Sequence, residues 1–150
     1  MESVVNKNVN WIGPRFFMFY AIGLVGFELL VRMLLVTPGF LTWEQGLTIV
    51  HAGHGIVNFF VMHYLQGTPG ELQDQGDYSG LSWWEQLDDG TAWTASHKIL
   101  ILIPIVLFLV TSHLTQYESS YLAVNLVVLL LCVVPKLPQL NRVRMGSVEE

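Results

Sequence analysis

The stretch FFMFYAIGLVGFELLVRMLLV, residues 16–36, decides the fold of this chain because it is an almost unbroken apolar run. At about 1.5 Å per residue, a helix over this run is roughly 30 Å long, which is the thickness of the hydrocarbon core of a bilayer. Pro14 precedes the run, where its missing N–H costs little, and Thr37, Pro38 and Gly39 end it. The run therefore predicts a membrane-spanning helix.

The composition of the whole chain also indicates a membrane protein. Of its 150 residues, 52% are hydrophobic and only 13% are charged, whereas soluble domains carry about 25% charged residues. The sequence has no basic stripe of the kind that nucleic-acid binding requires. Its length allows one domain, residues 1–150, and its polar N-terminal tail, residues 1–13, lacks the apolar core of a cleavable signal peptide.

Three further segments are predicted to cross the membrane, which gives an all-α fold with four transmembrane helices. The helices are expected at about 16–36, 43–66, 97–117 and 119–135, with a loop at 67–97 between the second and the third. The second helix holds three histidines and an asparagine, so it can span only if these side chains face protein or a cavity. The last two apolar runs are short, so a single re-entrant hairpin over residues 98–136 is an alternative to two spans.

The basic residues predict the orientation, because lysine and arginine are enriched on the cytoplasmic side of membrane proteins. Apart from Arg32, the basic residues are Lys7, Arg15, Lys98, Lys136, Arg142 and Arg144. All six fall on one side of a four-helix arrangement. Both termini and the loop 67–97 are therefore predicted to be cytoplasmic, and the hairpin alternative gives the same sidedness.

The polar residues of the helices do not form a pattern typical of a catalytic or metal site. His51 and His54 share one helix face, but His63 lies more than two turns away and no carboxylate lies at a matching depth. We therefore expect buried, hydrogen-bonded histidines rather than a metal. Glu28 and Arg32 are four residues apart in the order that favours an ion pair, which predicts a structural pair in the membrane or a contact with a partner subunit.

The loop 67–97 concentrates acidic residues and tryptophans. Its acids do not pair with a nucleophile or follow a metal-binding spacing, so we interpret them as solvated. Trp83, Trp84 and Trp93 in a polar segment predict a docked loop, either on the membrane interface or beneath a partner. The acids in question are Asp74, Asp77, Glu85, Asp88 and Asp89. With no catalytic residues and no metal expected, we predict that the chain is not an enzyme.

The chain holds several rare motifs. They are Gly67-Thr68-Pro69, Asp74-Gln75-Gly76, Trp84-Glu85-Gln86-Leu87-Asp88 with Gly90, Thr94 to Lys98, Ile103-Pro104-Ile105-Val106-Leu107, and Pro135-Lys136-Leu137-Pro138-Gln139-Leu140 with Val143-Arg144. In this order, the motifs resemble the signature of the ORMDL (Orm) family. The similarity covers roughly Asn6 to Arg144 without large gaps. Four positions depart from the usual family pattern, namely Glu28, Arg32, Gln66 and Gly70.

The resemblance implies a multi-pass protein of the endoplasmic reticulum membrane that regulates serine palmitoyltransferase, the enzyme that starts sphingoid-base synthesis. Its implied partners are the large catalytic subunits and the small subunit of that enzyme. Members of the family hold the enzyme inhibited when ceramide is plentiful. Ceramide is therefore implied as a regulatory ligand, and no cofactor is expected.

The resemblance also implies where ceramide binds. In the family, the second Asn of an N-terminal Asn-x-Asn contacts the ceramide head group, and Asn6-Lys7-Asn8 fits this motif best. A carboxamide offers both a donor and an acceptor, which suits the amide and hydroxyls of ceramide. The rival registration is Asn8-Val9-Asn10, and Val61 occupies a family lipid-contact position on the second helix.

Two other functions stay open at this point. The chain could be an integral membrane enzyme that acts on lipids through the histidines of the second helix. It could also be a general membrane chaperone or calcium-handling adaptor of the endoplasmic reticulum, which would have many weak partners rather than one stoichiometric assembly.

Overall fold

The computed structural model describes residue 12, residues 14–67 and residues 78–142, and this part of the chain is helical without a β-strand. The helices are α1 (Pro14–Val31), α2 (Trp43–Phe59), the short α3 (Trp83–Gln86), α4 (Ala95–Leu114) and α5 (Ser119–Val133). Helices α1 and α2 each continue into a π-helical turn, over Arg32–Val36 and Phe60–Tyr64. The predicted all-α fold is confirmed for the described residues.

Three helices of the described part are long and apolar enough to cross a membrane, which supports the predicted polytopic membrane protein. They cover Pro14–Val36, Ala95–Leu114 and Ser119–Lys136. The segment Trp43–Tyr64, predicted as the second of four spans, is a continuous helix but is not among the three, because of its polar side chains. The prediction of four spans is therefore supported for three of them.

The last two apolar runs form separate helices rather than short hairpin arms. Helix α4 begins at Ala95 rather than at 97, because the Thr94 hydroxyl caps it by accepting from the His97 amide. Helix α5 begins after Glu118, whose carboxylate accepts from the amides of Ser120 and Tyr121. A hydrogen bond from the Ser120 side chain holds the pKa of this exposed carboxyl below its ordinary value.

Helix α2 lies at the centre of the bundle and packs against α1, α4 and α5. Gly55 allows α5 to approach closely, because a Cβ at this position would lie 2.7 Å from Val128 Cγ1. A buried hydrogen bond of 2.8 Å joins His51 Nδ1 to Asn125 Oδ1, and Asn125 Nδ2 donates to Thr48 Oγ1 at 3.3 Å. The contact between α2 and α5 is therefore both close and polar.

Helix α1 packs mainly on α2 and is otherwise largely exposed. The predicted ion pair is present, with 2.8 Å between Arg32 Nη2 and Glu28 Oε1. The Arg32 guanidinium also lies 4.1 Å from the centroid of the Trp43 ring at the start of α2. A cation above an indole face is attracted to it, so this group joins α1 to α2 at one end.

A buried lysine completes the backbone hydrogen bonding of α4. Pro104 has no N–H, so the Leu100 carbonyl, one helical turn earlier, lacks its usual donor. Lys136 Nζ donates to this carbonyl at 2.9 Å and lies 5.5 Å from the centroid of the Trp84 ring. Lys136 is only 1% exposed, so the lysine counted as a cytoplasmic charge is an internal structural group.

We expect Gly55→Leu to destabilise the protein by about 1–3 kcal/mol or more, since the added side chain overpacks the contact with α5. Thermal unfolding of the purified protein in detergent measures the effect. Gly26→Leu is the matched control, because no atom lies within 4 Å of a Cβ added at Gly26. Equal melting temperatures for the two variants would contradict the close packing of α2 on α5.

We expect Lys136→Met to lower the free energy of unfolding by about 1–3 kcal/mol, the range for one buried unsatisfied polar group. The same change at the exposed Lys98 should have little effect. Pro104→Ala restores a backbone N–H to α4, so the loss caused by Lys136→Met should shrink in that background. A double-mutant cycle of melting temperatures tests this, and strict additivity would refute the interaction.

Candidate functional site

An apolar cleft of about 550 Å³ lies between α1 and α2. Aromatic residues of α1, such as Phe16, Phe19 and Phe27, form one wall, and Val57 and Val61 lie on the other. Ligand sites of this size are usually mainly apolar with a few polar groups that fix orientation. The cleft therefore has the size and chemistry to hold an aliphatic chain.

Val61 is the predicted site residue that the structure describes, and it lines this cleft. It belongs to the π-helical turn that ends the second long helix, and π-helical turns are frequent at functional sites. Asn6 and Asn8, the other two predicted site residues, lie outside the described residues. The contact of either asparagine with ceramide therefore stays a prediction.

One end of the cleft meets a small apolar core. Trp83 lines the cleft, and Met62, which also lines it, packs in a buried cluster with Ile12 and Trp84. Ile12 is only 6% exposed. The chain therefore enters α1 beside the end of the cleft at which the loop docks.

Three polar side chains lie inside the otherwise apolar cleft. Asn58 Nδ2 donates to the Tyr20 hydroxyl at 3.1 Å, and the same hydroxyl lies 2.5 Å from His54 Nε2. His54 and Asn58 both line the cleft and are buried. Sequence reasoning placed His54 among buried histidines but did not find Tyr20 as the partner of His54 and Asn58, because these contacts join residues on two different helices.

His51 and His54 of α2, and His63 of the π-helical turn that follows it, face three different neighbours. His51 bonds to Asn125 of α5, His54 bonds to Tyr20 of α1, and His63 lies 5.8 Å from the Trp84 ring, measured between centroids. The prediction of buried, hydrogen-bonded histidines holds for His51 and His54. Among the described residues, no group of three or more His, Cys, Asp or Glu side chains could hold a metal ion.

The described part of the loop, residues 78–97, packs in part on its own chain. Trp84 is buried and packs edge-to-face on His97, with ring centroids 4.5 Å apart. Trp83 Nε1 donates to the Gly67 carbonyl at 3.2 Å. Trp93 alone of the three tryptophans stays about half exposed. The expectation that all three would meet membrane or partner is therefore wrong for Trp84.

Glu85 corrects the interpretation of the loop acids as solvated. It is buried, and its carboxylate accepts from the Ser82 amide at 2.8 Å and from the Arg142 amide at 3.0 Å. Ser82 and Glu85 form a capping box at the start of α3. A Ser followed three residues later by Glu is the sequence signal for this motif, and it would have identified Glu85 as a structural residue.

The remaining described loop acids differ from Glu85. Asp88 is exposed and accepts hydrogen bonds from the hydroxyls of Thr94 and Ser96, which precede and open α4. Asp89 is exposed. Asp74 and Asp77 lie outside the described residues. The loop acids therefore serve local structure where they have partners.

Among the described residues, three helices long and apolar enough to cross a membrane, together with an apolar cleft, define an α-helical membrane protein. Comparison with known proteins gives its family. The model of the ORMDL family matches residues 6–144. The chain is 34% identical to ORM1-like protein 2 of Homo sapiens and 33% identical to ORM1-like protein 3 of Mus musculus, in each case over 149 residues that cover 99% of this chain and 95% of the relative.

A third relative, ORM1-like protein 1 of Danio rerio, is 34% identical over 150 residues. The chain belongs to the ORMDL family, which confirms the resemblance read from its motifs. Family membership supports an Orm-type regulatory role in sphingolipid synthesis.

Proposed function

We propose that this chain is a non-catalytic, ceramide-sensing inhibitory subunit of serine palmitoyltransferase in the endoplasmic reticulum membrane. Family membership supports the regulatory role. The cleft between α1 and α2 is the observation that supports ceramide as the ligand. The cleft is apolar, has a volume of about 550 Å³ and contains Val61, the residue expected to contact lipid. Its partners in this proposal are the two large catalytic subunits and the small subunit of the enzyme.

The distribution of polar side chains supports α2 as a fourth membrane span. His51, His54 and Asn58 are buried inside the bundle, whereas Ile56 and Val57 are 71% and 62% exposed. Polar groups within a bilayer almost always face the protein interior. A helix with this arrangement presents an apolar surface to lipid despite its polar composition.

The contacts at one end of the bundle support the predicted cytoplasmic side. Lys136 at the end of α5 bonds to Leu100 near the start of α4, and the Arg142 amide bonds to Glu85 in the loop. Ile12 packs in the same cluster as Leu100. The segments that carry the basic residues therefore meet at one end, as the excess of lysine and arginine on the cytoplasmic side requires.

In this proposal an aliphatic chain of ceramide lies in the cleft and the tail reaches the head group. Asn8 precedes Ile12 by four residues in the sequence, so a fully extended chain allows at most about 14 Å between them. Since Ile12 packs beside the Trp83 end of the cleft, Asn8 is within reach of a head group at that end. Ceramide bound at the junction with the catalytic subunit would favour the inhibited arrangement, because a ligand stabilises the state that binds it better.

Extraction of the chain in a mild detergent should bring down both large subunits and the small subunit of serine palmitoyltransferase in a fixed ratio. Mass spectrometry of the purified material gives the stoichiometry. Recovery of the chain alone, or with many substoichiometric partners, would contradict the role of a dedicated subunit.

Asn8→Ala should raise the ceramide concentration for half-maximal inhibition about tenfold and leave the complex assembled, because it removes hydrogen bonds to the head group. The assay measures sphingoid-base synthesis by purified complex over a ceramide titration. Asn10→Ala is the matched control for the rival registration of the motif. An unchanged dose response for Asn8→Ala would refute the assignment of Asn8 and leave the subunit role intact.

A further inference from the structure

We propose that Tyr20, His54 and Asn58 form a hydrogen-bonding subsite inside the cleft, and that it selects an uncharged lipid by an amide or hydroxyl group. The subsite rests on the proposed binding of ceramide in the cleft. Its residues belong to α1 and α2, and Tyr20 lies about 9 Å along α1 from Pro14.

The hydrogen bonds within the subsite indicate where its protons lie. Asn58 Nδ2 donates to the Tyr20 oxygen at 3.1 Å, so this oxygen acts as an acceptor. Among the described residues, the other partner of the hydroxyl is His54 Nε2 at 2.5 Å, so we assign the single tyrosine proton to the bond with Nε2. A neutral imidazole that accepts at Nε2 carries its own proton on Nδ1.

Two atoms of the subsite are buried and have no hydrogen-bond partner among the residues that the structure describes. They are His54 Nδ1 and Asn58 Oδ1, and both residues line the cleft although they are only 6% and 4% exposed. A buried polar group without a partner is destabilising. The pair offers one donor, the N–H at Nδ1, and one acceptor, the carbonyl oxygen of the amide.

A donor and an acceptor side by side define the chemical class of the ligand. A secondary amide can accept from His54 and donate to Asn58, and a hydroxyl group can do the same with a single oxygen. An ester or a plain hydrocarbon chain cannot donate. A carboxylate or phosphate is disfavoured, because no Lys or Arg is among the described residues that line the cleft.

Competition for photolabelling tests the subsite in membranes that contain the full chain and its natural partners. A photoreactive short-chain ceramide labels the chain, and two unlabelled competitors are titrated. The first is short-chain ceramide, and the second is its analogue with an N-methyl amide and both hydroxyls as methyl ethers, which has no donor. The variants are Asn58→Leu, the conservative Tyr20→Phe, and Ser112→Ala.

We expect Asn58→Leu to weaken competition by ceramide about tenfold and competition by the methylated analogue less than twofold, since the analogue has no proton for Asn58 Oδ1. Tyr20→Phe should also weaken competition by ceramide. Without the Tyr20 hydroxyl, the proton of the His54 imidazole can shift from Nδ1 to Nε2. Ser112→Ala is the matched control, because it removes a buried hydroxyl without a partner on α4, outside the cleft. Size-exclusion chromatography checks that each variant is intact.

Three results would overturn the subsite, and they differ from a failure of the proposed function. Equal losses for both competitors in Asn58→Leu would mean that only packing was changed. If competition by ceramide is unchanged in both Asn58→Leu and Tyr20→Phe, the proposed subsite is refuted and the proposed binding of ceramide still stands. No specific labelling of the wild-type chain by ceramide would refute the proposed ligand and the subsite with it.

Discussion

The whole bundle depends on the burial of the polar face of α2. A helix that carries three histidines and an asparagine is costly beside lipid, so its polar groups must be covered by other helices. His51 is covered by Asn125 of α5, and His54 and Asn58 are covered by Tyr20 of α1. These two sets of hydrogen bonds join α2 to α5 and to α1 and so help to hold the three helices together.

The same constraint produces the cleft. Helix α1 packs mainly on α2 and is held to it by polar contacts, with Arg32 on Trp43 near one end and Tyr20 on His54 and Asn58 further along. Phenylalanines of α1 and Gly53 of α2 line the space that remains between the two helices. The apolar cleft and its three polar side chains therefore result from the packing of α1 on the polar face of α2.

The sequence predicted what depends on local pattern. The apolar run at 16–36 predicted a membrane-spanning helix, and the structure has a helix there that is long and apolar enough. The spacing of Glu28 and Arg32 predicted an ion pair, which is present. The surroundings of Trp84 could not be predicted, because they combine His63, His97 and Lys136 from three distant parts of the chain. The link between Tyr20 and Asn58 was missed for the same reason. Pro104 leaves the Leu100 carbonyl of α4 without its backbone donor. Nothing in the sequence pattern identified Lys136 as the partner of this carbonyl.

The hydrogen bond from Lys136 to Leu100 has a consequence for the biogenesis of the protein. Its two residues are 36 positions apart in the sequence, so the bond forms only after the segment that follows α5 has been synthesised and has packed against α4. Until then the Leu100 carbonyl lacks its donor in α4 and must be satisfied by water or by the insertion machinery. The backbone hydrogen bonding of α4 is thus completed only when the segment after α5 packs against it. Completion of the fold is therefore a late event that follows membrane insertion.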